Sequence, residues 1–205
     1  MPFRRLITLL VFATLLGTAG IARAASSDAA QFIDQLGNQA IQTLRATNLT
    51  LDQREAQFRS LLSQGFDLRF IGRFVLGRYW RGATPDQQND YIVLYGEYLV
   101  QTYAARLGGY SGETLTVIGA RAANDKDFIV STHLVRPSGP AIAADWRVRV
   151  IDGQYRIIDI MVEGISMAIT QRSEFASVVK RDGIDGLLTI LRARTTKITA
   201  TTAIN

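Results

Sequence analysis

His133 is the only histidine in the 205-residue chain, and there is no cysteine. These two counts close most routes to polar chemistry. A metal site built on imidazole or thiolate needs several convergent ligands, and the sequence holds no such cluster. A serine nucleophile would need His133 as its base. Ser166, in the run EGISM, lacks the paired glycines of a nucleophile elbow. His133 itself falls mid-strand, in the opposite phase to Val130 and Leu134, where an ordinary strand residue sits. Asp159 and Glu163 lie four apart on a strand, a spacing at which two carboxylates can divide acid and base roles. A cap or salt bridge at the sheet end uses the same spacing and is the simpler reading. Gly77 and Gly108-Gly109 fall where helices stop, and no GxxxxGK[ST] phosphate loop occurs. The side chains argue against an enzyme and require no cofactor or metal. What is left is binding.

Binding has a candidate surface in an apolar surplus. After Phe66, the stretch to Tyr103 holds Phe70, Phe74, Tyr79, Trp80, Tyr91, Tyr95, Tyr98 and Tyr103. Tyr91, Tyr95 and Tyr98 recur at i, i+4 and i+7, so they share one helix face. Such a stripe packs as core or lines a cavity where helices stand off a sheet, and composition alone does not separate the two.

The elements that must position these residues are legible in outline. A helix is expected from Ser26, capped by Ser27 or Asp28, with Phe32, Leu36, Ala40 and Leu44 at helical spacing. Thr50 and Gln53 form a capping box for a second helix that stops near Gly65. Asp67 opens a short helix, LRFIGRFVL, which Gly77 ends. Thr84-Pro85-Asp86-Gln87 is the sharpest start signal, with a cap, a proline at the first helical position and a closing glutamine. The helix it opens should run to about Leu107. Its middle, YIVLYGEYLV, is apolar on nearly all sides, which predicts burial. From Glu113 to Glu163 the period becomes two. Leu115 and Val117 share a face, as do Phe128, Val130, Thr132 and Leu134, then Trp146, Val148 and Val150 with Arg147 and Arg149 opposite. Asp152-Gly153 is a hairpin turn into the strand Tyr155 to Val162. Two helices, roughly 167–181 and 185–197, close the chain. This order is that of an α+β fold: N-terminal helices, an antiparallel sheet of four or more strands, and C-terminal helices.

The ends and the charge set the compartment. Met1 to Arg5 is basic, Leu6 to Ile21 is apolar and uncharged, and Ala22-Arg23-Ala24 offers the small-x-small pattern of a cleavage site. Residues 1–24 therefore read as a signal peptide of the general secretion route, cut after Ala24. Residues 25–198 read as one domain and 199–205 as a frayed tail. The apolar run is shorter than the roughly 20 residues that span a bilayer comfortably. Without Arg4, Arg5 and Arg23 the formal net charge falls from +5 to +2, one unit for each. The remaining cations alternate with acids along the sequence, which excludes a nucleic-acid partner.

Two long stretches resemble the MlaC family of periplasmic phospholipid carriers, also called toluene-tolerance auxiliary proteins. The first is DLRFIGRFVLGRYWRGATPDQQNDYIVLYGEYLVQTYAARL, with LGRYWR, a T-P-x-Q helix start and a tyrosine-rich helix ending in TYAxxL. The second is WRVRVIDGQYRIIDIMVEGISMAITQRSEFASVV, with a tryptophan strand, a D-x-x-V-E-G-x-S corner and an arginine-bearing helix. The closing DGIDGLLTILRAR is also similar. Many members carry Asn-Tyr before the arginine of that helix, where this chain has Thr170-Gln171 before Arg172. A sister group linked to hopanoid handling is similar too.

The resemblance implies an apolar cavity between sheet and helices that holds a glycerophospholipid, its headgroup at the mouth. It also implies a periplasmic shuttle between an outer-membrane lipoprotein complex and an inner-membrane ABC lipid transporter complex. The candidate lining residues, those of the sheet taken by phase and those of the helices by face, are Phe70, Phe74, Tyr95, Leu99, Tyr103, Val130, Leu134, Trp146, Val148, Ile160, Val162, Ile165 and Met167, with Arg172 at the mouth. The competing readings are a hopanoid or other lipid carrier and a cavity-free envelope adaptor with a solid core.

Overall fold

The computed structural model describes residues 3–46, 49–104 and 110–202, and side chains within 24–195 of these except Leu51 and Ala104. The elements are α1 (Phe3–Arg45), α2 (Leu51–Gly65), α3 (Leu68–Leu76), a 3₁₀ helix (Gly77–Gly82), α4 (Pro85–Ala104), β1 (Thr114–Ala122), β2 (Asp127–Val135), β3 (Ile142–Ile151), β4 (Gln154–Val162), β5 (Ile165–Ser166) and α5 (Met167–Thr202). The fold is α+β, with a five-stranded antiparallel sheet in the order β1-β2-β3-β4-β5.

The helix starts follow the capping chemistry. Thr50 accepts from the Gln53 N–H at 3.2 Å while the Gln53 side chain accepts from the Thr50 N–H at 2.9 Å. Thr84 and Gln87 make the same reciprocal pair at 3.2 and 3.0 Å. The Asp67 carboxylate accepts from the Phe70 N–H at 2.8 Å and opens α3. Gly77, at φ 60°, closes it in a backbone region that side chains disfavour. Asp152 and Gly153 both take positive φ, as a two-residue hairpin turn requires. Gly183, at φ 72°, breaks α5 into the two helical segments read from the sequence.

Three local expectations are corrected. Helix α1 runs unbroken through Ser26, Ser27 and Asp28. Neither Ser27 nor Asp28 caps it, because residues before them continue the helix and supply the acceptors a cap would provide. Helix α4 is not buried all round, since Val93 is 66% exposed. Helix α5 extends to Thr202, because nothing after Gly186 is glycine or proline, and so the segment 199–202 is helical. The expected stop at Gly108-Gly109 and residues 203–205 lie outside the described residues. The signal segment falls on residues of which no side chain before Ala24 is described.

Two clusters form the core. Beneath α1, Ala29 and Ile33 pack on Phe128, Val130, Val148 and Ile157 of the sheet. Among the helices, Leu62, Ile71, Val75, Leu76 and Trp80 pack with Tyr91, Tyr95, Tyr98, Phe175 and Leu187. Phe175 meets the edges of all three tyrosines at ring-centroid distances of 6.3, 6.1 and 5.9 Å. Gly72 lets α3 approach α4 closely, because a Cβ there would lie 2.8 Å from Ile92 Cδ1.

Candidate ligand-binding cavity

Between the two clusters lies a cavity of about 770 Å³. Its sheet wall is Trp146, Ile160 and Val162. Helix α4 supplies Tyr95, Tyr98, Leu99, Thr102 and Tyr103, and α1 and α2 close the far side with Ile33, Leu36, Ala40, Phe58, Leu61 and Leu62. At the corner where β5 turns into α5, Ile165, Met167, Ala168, Thr170, Gln171 and Glu174 complete it. Glu163, Ile165, Thr170 and Glu174 are exposed as well as lining, which places a mouth at this corner.

The polar groups of the lining are largely spent on holding the wall. One Asp159 oxygen accepts from Ser166 Oγ at 2.6 Å. The other accepts from the Ile160 and Ala168 N–H groups at 2.8 and 3.1 Å. Asp159 thus ties β4 to the first turn of α5. The Glu163 carboxylate accepts from the Ala143 N–H at 2.7 Å, across the sheet end. Both acids do the structural work that their spacing suggested. The Tyr95 hydroxyl donates to Gln171 Oε1 at 2.6 Å and links α4 to α5. Burial pushes the Tyr95 phenol well above its ordinary pKa, and the neighbouring Tyr103 and Tyr98 add to the rise, so it stays a neutral donor. Trp146 Nε1 donates to Thr132 Oγ1 at 2.8 Å, and Thr132 in turn donates to the Ala144 carbonyl at 3.0 Å. The Thr132 hydroxyl and the indole N–H are therefore both satisfied within the sheet.

Of the fourteen residues expected at the site, eight line this space: Tyr95, Leu99, Tyr103, Trp146, Ile160, Val162, Ile165 and Met167. The other six do not line it. Val130 and Val148 are fully buried under α1, and Leu134 lies further along the β2 face. Phe70 and Phe74 point outward from α3, where Arg149 and Arg172 stack on their rings at 4.7 and 5.1 Å. Arg172 is held there, away from the lining, against Gly77. The cavity is also lined by residues of α1 and α2 and by Phe66, Ile71 and Tyr98, none of which the sequence marks as lining. Phe58, Leu61 and Leu62 belong to α2, and nothing local in the sequence distinguishes a side chain that faces a void from one that faces a neighbour. His133 is not among the lining residues, and no group of metal-binding side chains occurs among the described residues.

Fold and site define an α+β protein with a predominantly apolar internal cavity opening at one corner. The chain belongs to the MlaC family, whose model, described as MlaC protein, matches residues 34–193. It is 25% identical over 127 residues to the intermembrane phospholipid transport system binding protein MlaC of Haemophilus influenzae. That match covers 60% of this chain and 59% of the relative. It is 27% identical over 108 residues to the toluene tolerance protein ttg2D of Pseudomonas putida, covering 53% and 50%. The chain thus spans little more than half the length of these relatives. Among solved structures, a phospholipid-binding protein from Ralstonia solanacearum in complex with a phospholipid superposes with a TM-score of 0.72 at 25% identity. It covers 83% of this chain and 98% of that one.

Proposed function

We propose that this protein is a periplasmic phospholipid carrier that holds acyl chains in the cavity and moves lipid between an outer-membrane lipoprotein complex and an inner-membrane ABC transporter complex. The observation that carries the reading is the 770 Å³ cavity, walled by apolar side chains in a fold shared with a phospholipid-bound relative. The acyl chains lie against Trp146, Ile160, Val162, Leu99 and Tyr103, and the headgroup sits at the corner of Ile165, Thr170 and Glu174. The energetics suit a carrier. At about 0.8 kcal/mol per buried CH₂, two chains with roughly 30 methylenes gain on the order of 24 kcal/mol over water. Escape into water is then negligibly slow, while passage to another apolar site is near neutral, so delivery proceeds by docking. A cavity-free adaptor would have a solid core at this place, and the open volume speaks against it.

Native mass spectrometry with organic extraction, on protein recovered from a bacterial periplasm, tests the proposal. A discrete added mass identified as phospholipid is expected. A hopanoid-like mass would keep the site and change the ligand. A bare mass, with no uptake from vesicles, would overturn the carrier reading.

A further inference from the structure

The exposed apolar side chains are not scattered. Phe70 and Phe74, one turn apart on α3, are 36% and 37% exposed. Ile165 of β5 and Ile169 in the first turn of α5 are 60% and 57% exposed. Arg172 joins the two pairs. It stacks on Phe74 at 5.1 Å and lies three residues after Ile169, hence on the same helix face. The room for it comes from Gly77, where a Cβ would stand 2.9 Å from the Arg172 Nε. Ile165 also lines the cavity, so this apolar patch begins at the cavity mouth.

Arginines surround the patch. Arg149 covers Phe70 at 4.7 Å, Arg73 lies over Trp80 at 5.4 Å, and Arg69 is exposed beside them. Arg147 continues the row through Asp127, whose buried carboxylate is fully engaged by Arg147 and Arg149. Acids lie within the row as well: Asp127 is shared by Arg147 and Arg149, Asp67 lies near Arg149, and Asp159 stands opposite Arg147 across the strands, while Glu163 and Glu174 line the cavity side of the corner. Along the sequence these arginines are interspersed with acids, and the fold gathers them.

We infer that this corner, from α3 to the first turn of α5, is a docking surface for a bilayer rich in anionic phospholipid. Guanidinium groups on phosphates and apolar side chains at headgroup depth are the two requirements of interfacial binding, and here they share one surface. The arginines come from three separate elements, in an arrangement that suits a fluid plane of phosphates better than the fixed register of one acidic protein face. Docking in this pose turns the cavity mouth toward the membrane. The inference concerns the surface outside the cavity and stands apart from the carrier reading.

Vesicle flotation tests it, with the full protein as the cell leaves it after export. The vesicles are phosphatidylcholine alone, or phosphatidylcholine with one third phosphatidylglycerol. Binding is expected to the anionic vesicles only, and to be lost as salt shortens the reach of the charges. Each arginine removed lowers binding about fivefold, which is the ~1 kcal/mol a single cation gains near such a surface. Arg69→Gln, Arg73→Gln and Arg172→Gln together lower it on the order of a hundredfold. Arg147 and Arg149 are left in place, since Asp127 depends on them. Ile169→Asp, at an exposed position that leaves the core intact, also abolishes binding, and an unchanged thermal transition verifies that both variants are folded. Equal binding to the two vesicle types, no binding to either, or a triple variant that binds like the parent overturns the inference.

Discussion

Val148 and Trp146 sit two residues apart on β3, on the same face of the sheet, and meet different surroundings. Val148 is fully buried, sealed with Val130, Phe128 and Ile157 beneath Ala29 and Ile33 of α1. Trp146 and its cross-strand partner Ile160 pack at the margin of that cluster, are only partly buried, and also face the cavity. The sheet thus presents one continuous apolar face whose one end serves as core and whose other end serves as wall. Stability belongs to the first region and ligand capacity to the second.

The largest expected effect separates the two by charge. Val148→Asp places an unpaired carboxylate in the sealed region, and a loss of at least about 4 kcal/mol is expected, enough to prevent folding in a thermal melt. Val162→Asp, in the open region, is expected to give folded protein that yields no lipid on extraction. If both behave alike, the division is wrong.

A gentler pair sharpens the same contrast. Ile157→Ala removes a fully buried side chain and should cost about 3 kcal/mol in denaturant unfolding, transfer and cavity terms together. Ile160→Ala, already bordering open space, should cost under about 1.5 kcal/mol and show its effect in lipid occupancy.

Acid separates the regions in another way. The hydrogen bonds of Arg149, and after them those of Arg147 and Asn124, hold the Asp127 carboxyl well below the usual carboxylate range against the opposing cost of burial. A depressed folded-state pKa contributes stability that is present above the unfolded value and lost as pH falls through the folded one. Stability from this cluster should hold from neutral pH down to about pH 4, the ordinary aspartate value, and decline below it. Asp127→Asn should flatten that decline in melts recorded across the acid range. The smallest effect is expected from Tyr95→Phe, which loses the hydroxyl that joins α4 to Gln171. The cost is about 1 kcal/mol, with folding otherwise intact.

These contrasts also mark how far the sequence could be read. Caps at Thr50, Asp67 and Thr84 are local chemistry, and each appears in the structure where its residues stand. Period two places Val130, Trp146 and Val148 on one face, as in the structure, whereas a register shift between β3 and β4 breaks it at Ile157 and Ile160. The period carries no information on which rung of that face lies under a helix, because that depends on where α1 crosses the sheet. For the same reason Val130 and Val148 were expected in the cavity and Phe58 and Leu62 were not. Phe70 and Phe74 share a helix face, and the face alone does not say what covers it. Gly77 makes room for Arg172, and Arg172 and Arg149 stack on these rings outside the cavity. The family likeness supplied what neither spacing nor composition contains, namely that the helices stand off the sheet.

Photolabelling tests the central claim most directly. Protein loaded with a phospholipid that carries a photoreactive acyl chain is irradiated, digested and mapped by mass spectrometry. Label on α4 from Tyr95 to Tyr103, on Ile160 to Val162 of β4 and on Phe58 to Leu62 of α2 is the predicted result. Label concentrated on Phe128 to Val130 and Val148, or on the outward rings of Phe70 and Phe74, would contradict it.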